Sequence, residues 1–162
     1  MPPHNLNIRK ATLQDCAVIL HHRRSMFRDM GEGTPEELDQ VVLDSAPWLA
    51  AALADGSYQG WLAEDGQGND GQGRVVAGGG VLISAWPPRP RDSNARRAVI
   101  FNVYTEPEFR RKGLARELML LMIQWLREQG FRSAVLHASD AGRHLYQTMG
   151  FQSTNEMRLQ LD

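Results

Sequence analysis

A single cysteine, Cys16, stands in the 162 residues. One thiol closes no intramolecular disulfide and builds no thiolate zinc site. The five histidines fall at no metal-ligand spacing, so no metal is expected. No apolar run reaches the length of a membrane span; the longest, around Leu118 to Ile123, is about half of it. The first residues, MPPHNLNIRKATL, hold no apolar core of a secretory signal. A cytoplasmic location is therefore the default expectation, with no membrane partner. There is no basic excess either: 18 Lys and Arg against 19 Asp and Glu leave a net charge of -1. That balance argues against a dedicated nucleic-acid binder.

What remains is an ordinary globular composition, 42% hydrophobic and 23% charged. The length predicts a single domain over residues 1–162, able to bury roughly two-thirds of its unfolded surface. Asn7 to Lys10 reads as a strand. Thr12 caps a helix running to about Met30, with Leu13, Cys16, Ala17, Leu20 and Phe27 on one face. Thr34, Pro35 and Glu37 form a capping box for a second helix, with a break expected at Pro47 and a second piece to about Ala54.

Strands follow at Tyr58 to Glu64, Arg74 to Ser84 and Arg97 to Tyr104. Asp65 to Gly73 reads as a flexible hairpin loop. Gly78, Gly79 and Gly80 inside the second of these strands predict a bulge or a close backbone approach. The last third alternates: a helix from Arg111 to Gln129, a strand from Ser133 to His137, a helix from Asp140 to Met149, and final strand structure within Phe151 to Gln160.

The chemistry concentrates in VYTEPEFRRKGLAREL, Val103 to Leu118. An apolar strand enters a turn at Pro107, and a basic stretch opens directly into an apolar helix. A helix start carries free amides and the positive end of the dipole. Gly113 clears side-chain bulk from the approach, and Ala115 keeps it open. Arg110, Arg111 and Lys112 add positive charge where helix stability alone disfavours it. A diphosphate suits such a place; a solvated basic loop is the plain alternative.

Arg110-x-x-Gly113-x-Ala115 resembles the acetyl-CoA signature of the GNAT superfamily of N-acyltransferases. Ala141 to Phe151, a helix with Tyr146 that ends in Gly150-Phe151, resembles the family's closing segment. The order of elements also matches along nearly the whole chain. The resemblance implies an α/β (α+β) fold: a central mixed, mostly antiparallel, splayed sheet of roughly six to seven strands flanked by about four helices. It implies an acyltransferase that moves acetyl from acetyl-CoA to a primary amine by direct attack. Cys16 then needs no nucleophilic role. A non-catalytic acyl-CoA-binding sensory domain on the same fold is the alternative.

Carried onto this sequence, the resemblance puts pantetheine against the strand at Val103, Tyr104 and Thr105. It puts the pyrophosphate on Arg110, Arg111, Lys112, Gly113, Leu114 and Ala115. Ser139 stands where many members have Asn, a shorter contact. Tyr146 takes the general-acid position, and His137 is a candidate base. Phe27, Asp29 and Asn102 are the acceptor-side candidates. Asp29 or Glu32 would hold an ammonium, and the neighbouring arginines a carboxylate. His21 and His22 read as surface residues. Glu106 and Glu108 read as caps of the turn, and Trp48 and Trp61 as core. A homodimer is in keeping with the fold.

Overall fold

The computed structural model describes residues 6–66 and 73–161. Most of the expected glycine-rich hairpin loop, residues 67–72, lies outside them. The chain forms strand β1 (Leu6–Lys10), a 3-10 turn (Leu13–Asp15), helix α1 (Cys16–Asp29) and helix α2 (Pro35–Asp55). Strands β2 (Tyr58–Asp65), β3 (Arg74–Ala85) and β4 (Arg96–Thr105) follow. A second 3-10 turn (Pro107–Phe109), helix α3 (Leu114–Glu128), strand β5 (Val135–Leu136) and helix α4 (Asp140–Thr148) complete it.

Both predicted helix starts form capping boxes. The Thr34 amide donates to the Glu37 carboxylate at 2.7 Å, and the Glu37 amide donates back to Thr34 Oγ1 at 3.3 Å. At the first start, Thr12 pairs with Asp15 in the same way. Pro47 does not break α2. The carbonyl that loses its partner there belongs to Leu43, a residue 67% exposed, on the side of the helix that water reaches.

The sheet runs β1-β2-β3-β4-β5, antiparallel except for the parallel β4–β5 pair. It separates two apolar layers. On one face α1 and α2 supply Ile19, Leu20, Leu49 and Ala52, which pack with Tyr58 and Leu62 of β2. On the other, α3 buries the stripe Leu114, Leu118, Met119, Met122 and Leu126 against Val76, Val81, Ala98 and Ile100. That stripe recurs with helical period, which is why α3 forms and why it lies flat on the sheet. Among the described residues no helix is long and apolar enough to cross a membrane.

Among the described residues the sheet has five strands, fewer than the six or seven expected. The missing strand is the last: among the described residues, 152–161 form no regular structure and no strand pairing. The β5 segment also pairs over only two residues, Val99 with Val135 and Ile100 with Leu136.

The triple glycine does what its composition predicts. The β3–β4 register shifts between Gly78 and Gly80, and a Cβ at Gly80 would sit 2.1 Å from the Tyr58 hydroxyl oxygen. Tyr58 is fully buried and cannot move aside. Gly80→Ala is therefore expected to cost about 3 kcal/mol or more, read as a lowered urea midpoint with unchanged slope.

Candidate active site

Beyond Ile100 and Leu136 the strands β4 and β5 part, and a cleft of about 730 Å3 opens between them. Its walls are α1 and its C-cap (Arg23, Met26, Phe27, Met30), β4 (Ile100 to Val103), the β5–α4 segment and C-terminal residues between Phe151 and Arg158. Arg23, Met26, Phe27 and Met30 repeat at helical spacing, so one face of α1 lines the cleft. Phe27, expected on the buried face with Leu20, belongs to this second face instead.

The parting begins at a kink in β4. Asn102 has a left-handed backbone, φ 55°, at the level of the β3–β4 register shift. Asn tolerates this region better than other side-chain-bearing residues. The bulge turns two consecutive side chains toward α1 and α2: Phe101 packs in their layer, and Asn102 is buried beneath them. The Asn102 amide donates to the Tyr58 hydroxyl at 3.1 Å, and its carbonyl accepts from Arg23 Nη1 at 3.0 Å. Asn102, an acceptor-side candidate, thus spends its side chain on holding Arg23 at the cleft wall. Arg23 stacks its guanidinium over Phe27, 4.9 Å from the ring centre. Burial lowers the Arg23 pKa from its ordinary value, but a guanidinium remains charged.

On the opposite wall, Ser139 caps α4 by accepting the Gly142 amide at 3.1 Å. Tyr146 faces the cleft one turn after Gly142. A Cβ at Gly142 would lie 2.9 Å from the Tyr146 ring, so the missing side chain makes the ring's seat. The ring also meets Phe151 edge-on at 5.9 Å. Its hydroxyl makes no hydrogen bond to the described residues, and burial raises the phenol above its ordinary pKa. His137 lines the same cleft at its rim, with Nε2 3.3 Å from Glu156.

The basic turn lies outside the cleft lining but adjoins it. Arg116 in the first turn of α3 donates to Thr148 at the end of α4, 3.4 Å away. The helix begins at Leu114, later than the expected Arg111, because Arg111 and Gly113 both have left-handed backbones, φ 61° and 85°. Such a conformation is unfavourable for Arg and strains the turn. A Cβ at Gly113 would meet nothing within 4 Å, so the turn needs glycine for its φ, not for side-chain clearance. Gly113 caps the helix without a side-chain bond, which leaves the first amides of α3 free of a capping side chain. Leu114 turns its side chain into the core, and only its backbone belongs to the turn.

Arg110 departs from the expected role. Its Nε donates to the Thr105 carbonyl at 2.9 Å, its Nη2 pairs with Asp29 at 2.5 Å, and its guanidinium lies over the Tyr104 ring. This removes three candidates from the open site. Asp29 is held by Arg110 and Arg28, Thr105 has its carbonyl occupied, and Tyr104 is buried against His22. Neither Asp29 nor Thr105 lines the cleft; Val103 does.

His22 is not a surface residue. It is buried, its ring 5.2 Å from that of Tyr104. Its neighbour His21 pairs with Glu106 at 2.7 Å, and Glu108 pairs with Arg74 at 2.9 Å. Trp61 is core as read, whereas Trp48 is 39% exposed. The reading also missed Arg143 and Gln147, which line the cleft from α4, and the C-terminal residues Gln152 to Thr154. The helical spacing of Arg143, Tyr146 and Gln147 was a signal for the first two. No local pattern marked the last three.

The chain belongs to the acetyltransferase (GNAT) family, whose model matches residues 19–151. Among solved structures it is similar to a GCN5-related N-acetyltransferase from Ralstonia eutropha. That pair is 33% identical with a TM-score of 0.88, covering 97% of this chain and 99% of the other. A predicted acetyltransferase from Clostridium acetobutylicum, solved with acetyl-CoA, is 27% identical with a TM-score of 0.82, covering 97% and 96%. N-acetyltransferase family 8 member 2 of Rattus norvegicus is 31% identical over 104 residues, 62% of this chain and 41% of that protein. The chain spans about two-fifths of the length of the curated relatives it matches.

Buried His22 gives the fold a pH dependence. Desolvation pushes its pKa down to about 4 from 6.5, with the neighbouring His21 adding to the effect. Between those values the unfolded chain binds a proton that the folded chain refuses, so stability falls as pH drops through that window. The loss approaches about 3 kcal/mol near pH 4. Urea titrations from pH 7 to 4 should show this limb, and His22→Gln should flatten it.

Proposed function

We propose that the protein is an acetyl-CoA-dependent N-acetyltransferase acting on a primary amine of a small molecule or peptide. In this reading residues 1–162 form one domain, working in the cytoplasm. The observation that carries it is the open β4–β5 cleft lined by Tyr146, whose hydroxyl makes no hydrogen bond to the described residues.

The residues present fit acetyl-CoA. The free amides from Gly113 to Ala115, with Arg111 and Lys112 beside them, suit its pyrophosphate. The β4 backbone at Val103, past the point where β5 stops pairing, suits the pantetheine arm. Ser139 accepts its own helix cap through Oγ and keeps its hydroxyl proton to give. Arg110 serves this site indirectly, by fixing the turn to α1 through Asp29. When bound, acetyl-CoA supplies an activated acetyl thioester.

The reaction joins the acceptor nitrogen to the acetyl carbon and breaks the carbon–sulfur bond. One proton leaves the nitrogen and one is returned to the sulfur. Tyr146 is suited to the second transfer, because its raised pKa keeps the proton on the phenol until a strong base appears. His137, carrying Glu156 on Nε2, has Nδ1 left to take the amine proton, directly or through water. The apolar walls from Met26 and Phe27 limit water at the thioester.

Two variants test this reading. Tyr146→Phe keeps the ring against Phe151 and Gly142 and removes the donor. Thiol release from acetyl-CoA, measured with a panel of amines, should fall on the order of 10²-fold in kcat and kcat/KM together, with CoA affinity retained. Normal turnover would move the acid role to water. Arg111→Gly separates binding from stability. It relieves the left-handed backbone and removes a positive charge, so the melting temperature should hold or rise while CoA affinity drops about tenfold.

A further inference from the structure

Three arginines lie on the second half of α1, and two of them are neutralised by carboxylates. Arg24 pairs with Asp39 at 2.8 Å and Arg28 with Asp29 at 3.1 Å. Arg23 is different. It is the one that lines the cleft, and no carboxylate among the described residues pairs with it. Its single hydrogen bond goes to the neutral Asn102 carbonyl, and its Nε is buried with no partner. A partly desolvated charge without a counter-charge is costly. Here the fold secures that charge with a stacked ring from Phe27 and an Asn102–Tyr58 relay.

Arg23 also stands at a chosen place. It touches Asn102, where β4 kinks and the sheet opens, so it lies at the inner end of the cleft. The other ionisable groups of the lining are Glu32, His137, Arg143, Tyr146, Glu156 and Arg158. Of these, Glu156 already serves Arg97 and His137.

We propose that Arg23 is the anchor for a carboxylate on the acceptor, which makes the acceptor an amino-acid-like amine. The planar guanidinium takes a carboxylate through two parallel N–H donors, a geometry that a lysine does not reproduce. The amine beside that carboxylate then faces Val103 and Tyr146, and Met26, Phe27 and Met30 receive an apolar side chain. This rests on the acetyltransferase reading. The anion chemistry is shared by carboxylate and phosphonate, and the test separates them.

The test compares leucine, leucinamide, isopentylamine and the phosphonate analogue of leucine as acceptors for the full chain. Leucine should exceed leucinamide by about 100-fold in kcat/KM, because a site built for a polar group rejects the analogue without it. Leucine with CoA should also raise the melting temperature more than leucinamide with CoA, a readout independent of turnover. In Arg23→Gln the leucine-to-leucinamide ratio should fall toward one, and Arg23→Lys should recover only part of it. A wild type without that preference in either measurement, a ratio unchanged in Arg23→Gln, or a preference for the phosphonate overturns the carboxylate assignment. Failure of CoA to shift the melting temperature would instead remove the acetyltransferase reading.

Discussion

Strand β4 cannot serve both neighbours along its whole length, and the site depends on that. It pairs with β3 from Arg96 to Thr105 but with β5 only at Val99 and Ile100. The bulge at Asn102 is the physical cause of the change. One residue in a left-handed conformation shifts the register against β3 and increases local twist. The edge of β4 facing β5 then loses its partner just where Val103 enters the cleft. The cost of the strained Asn102 is offset by its hydrogen bonds to Tyr58 and Arg23 and by complete burial.

Helix α1 couples this opening to the basic turn at Arg110 to Ala115. One face buries Ile19, Leu20 and His22, and another lines the cleft. Its far end holds the turn through Asp29 and Arg110, while His21 reaches Glu106 at the exit of β4. The turn is therefore fixed at both sides, which keeps Arg111 and Gly113 in conformations that an isolated chain would leave. Strain at Asn102 and at Arg111 brackets the same stretch of backbone. In a small domain such strain persists where surrounding contacts over-determine it.

Local signals in the sequence were strong for helix starts and for the stripe of α3, because capping boxes and apolar periodicity depend on neighbours within a turn or two. The glycine triplet forecast a bulge correctly for the same reason. Pro47 was read too strictly: a proline ends a helix only if the freed carbonyl has nowhere to go, and Leu43 is open to water. The pair His21-His22 misled because adjacent residues on a helix diverge by roughly a quarter turn or more, so one reached solvent and the other the core.

By itself the sequence showed the basic turn at Arg110 to Ala115, whose residues lie close together in the chain, and it carried the family resemblance that implied the class of fold and the candidate acid Tyr146. Tertiary structure alone decided which charges remain available. Arg110 and Asp29 are distant in sequence and neutralise each other across the domain, whereas Arg23 meets only an amide. The C-terminal segment alternates apolar Met157, Leu159 and Leu161 with polar residues, yet among the described residues it joins no strand and is tied to the sheet through Glu156 alone. Pairings between distant residues follow from how layers stack and strands part, and no local pattern encodes them.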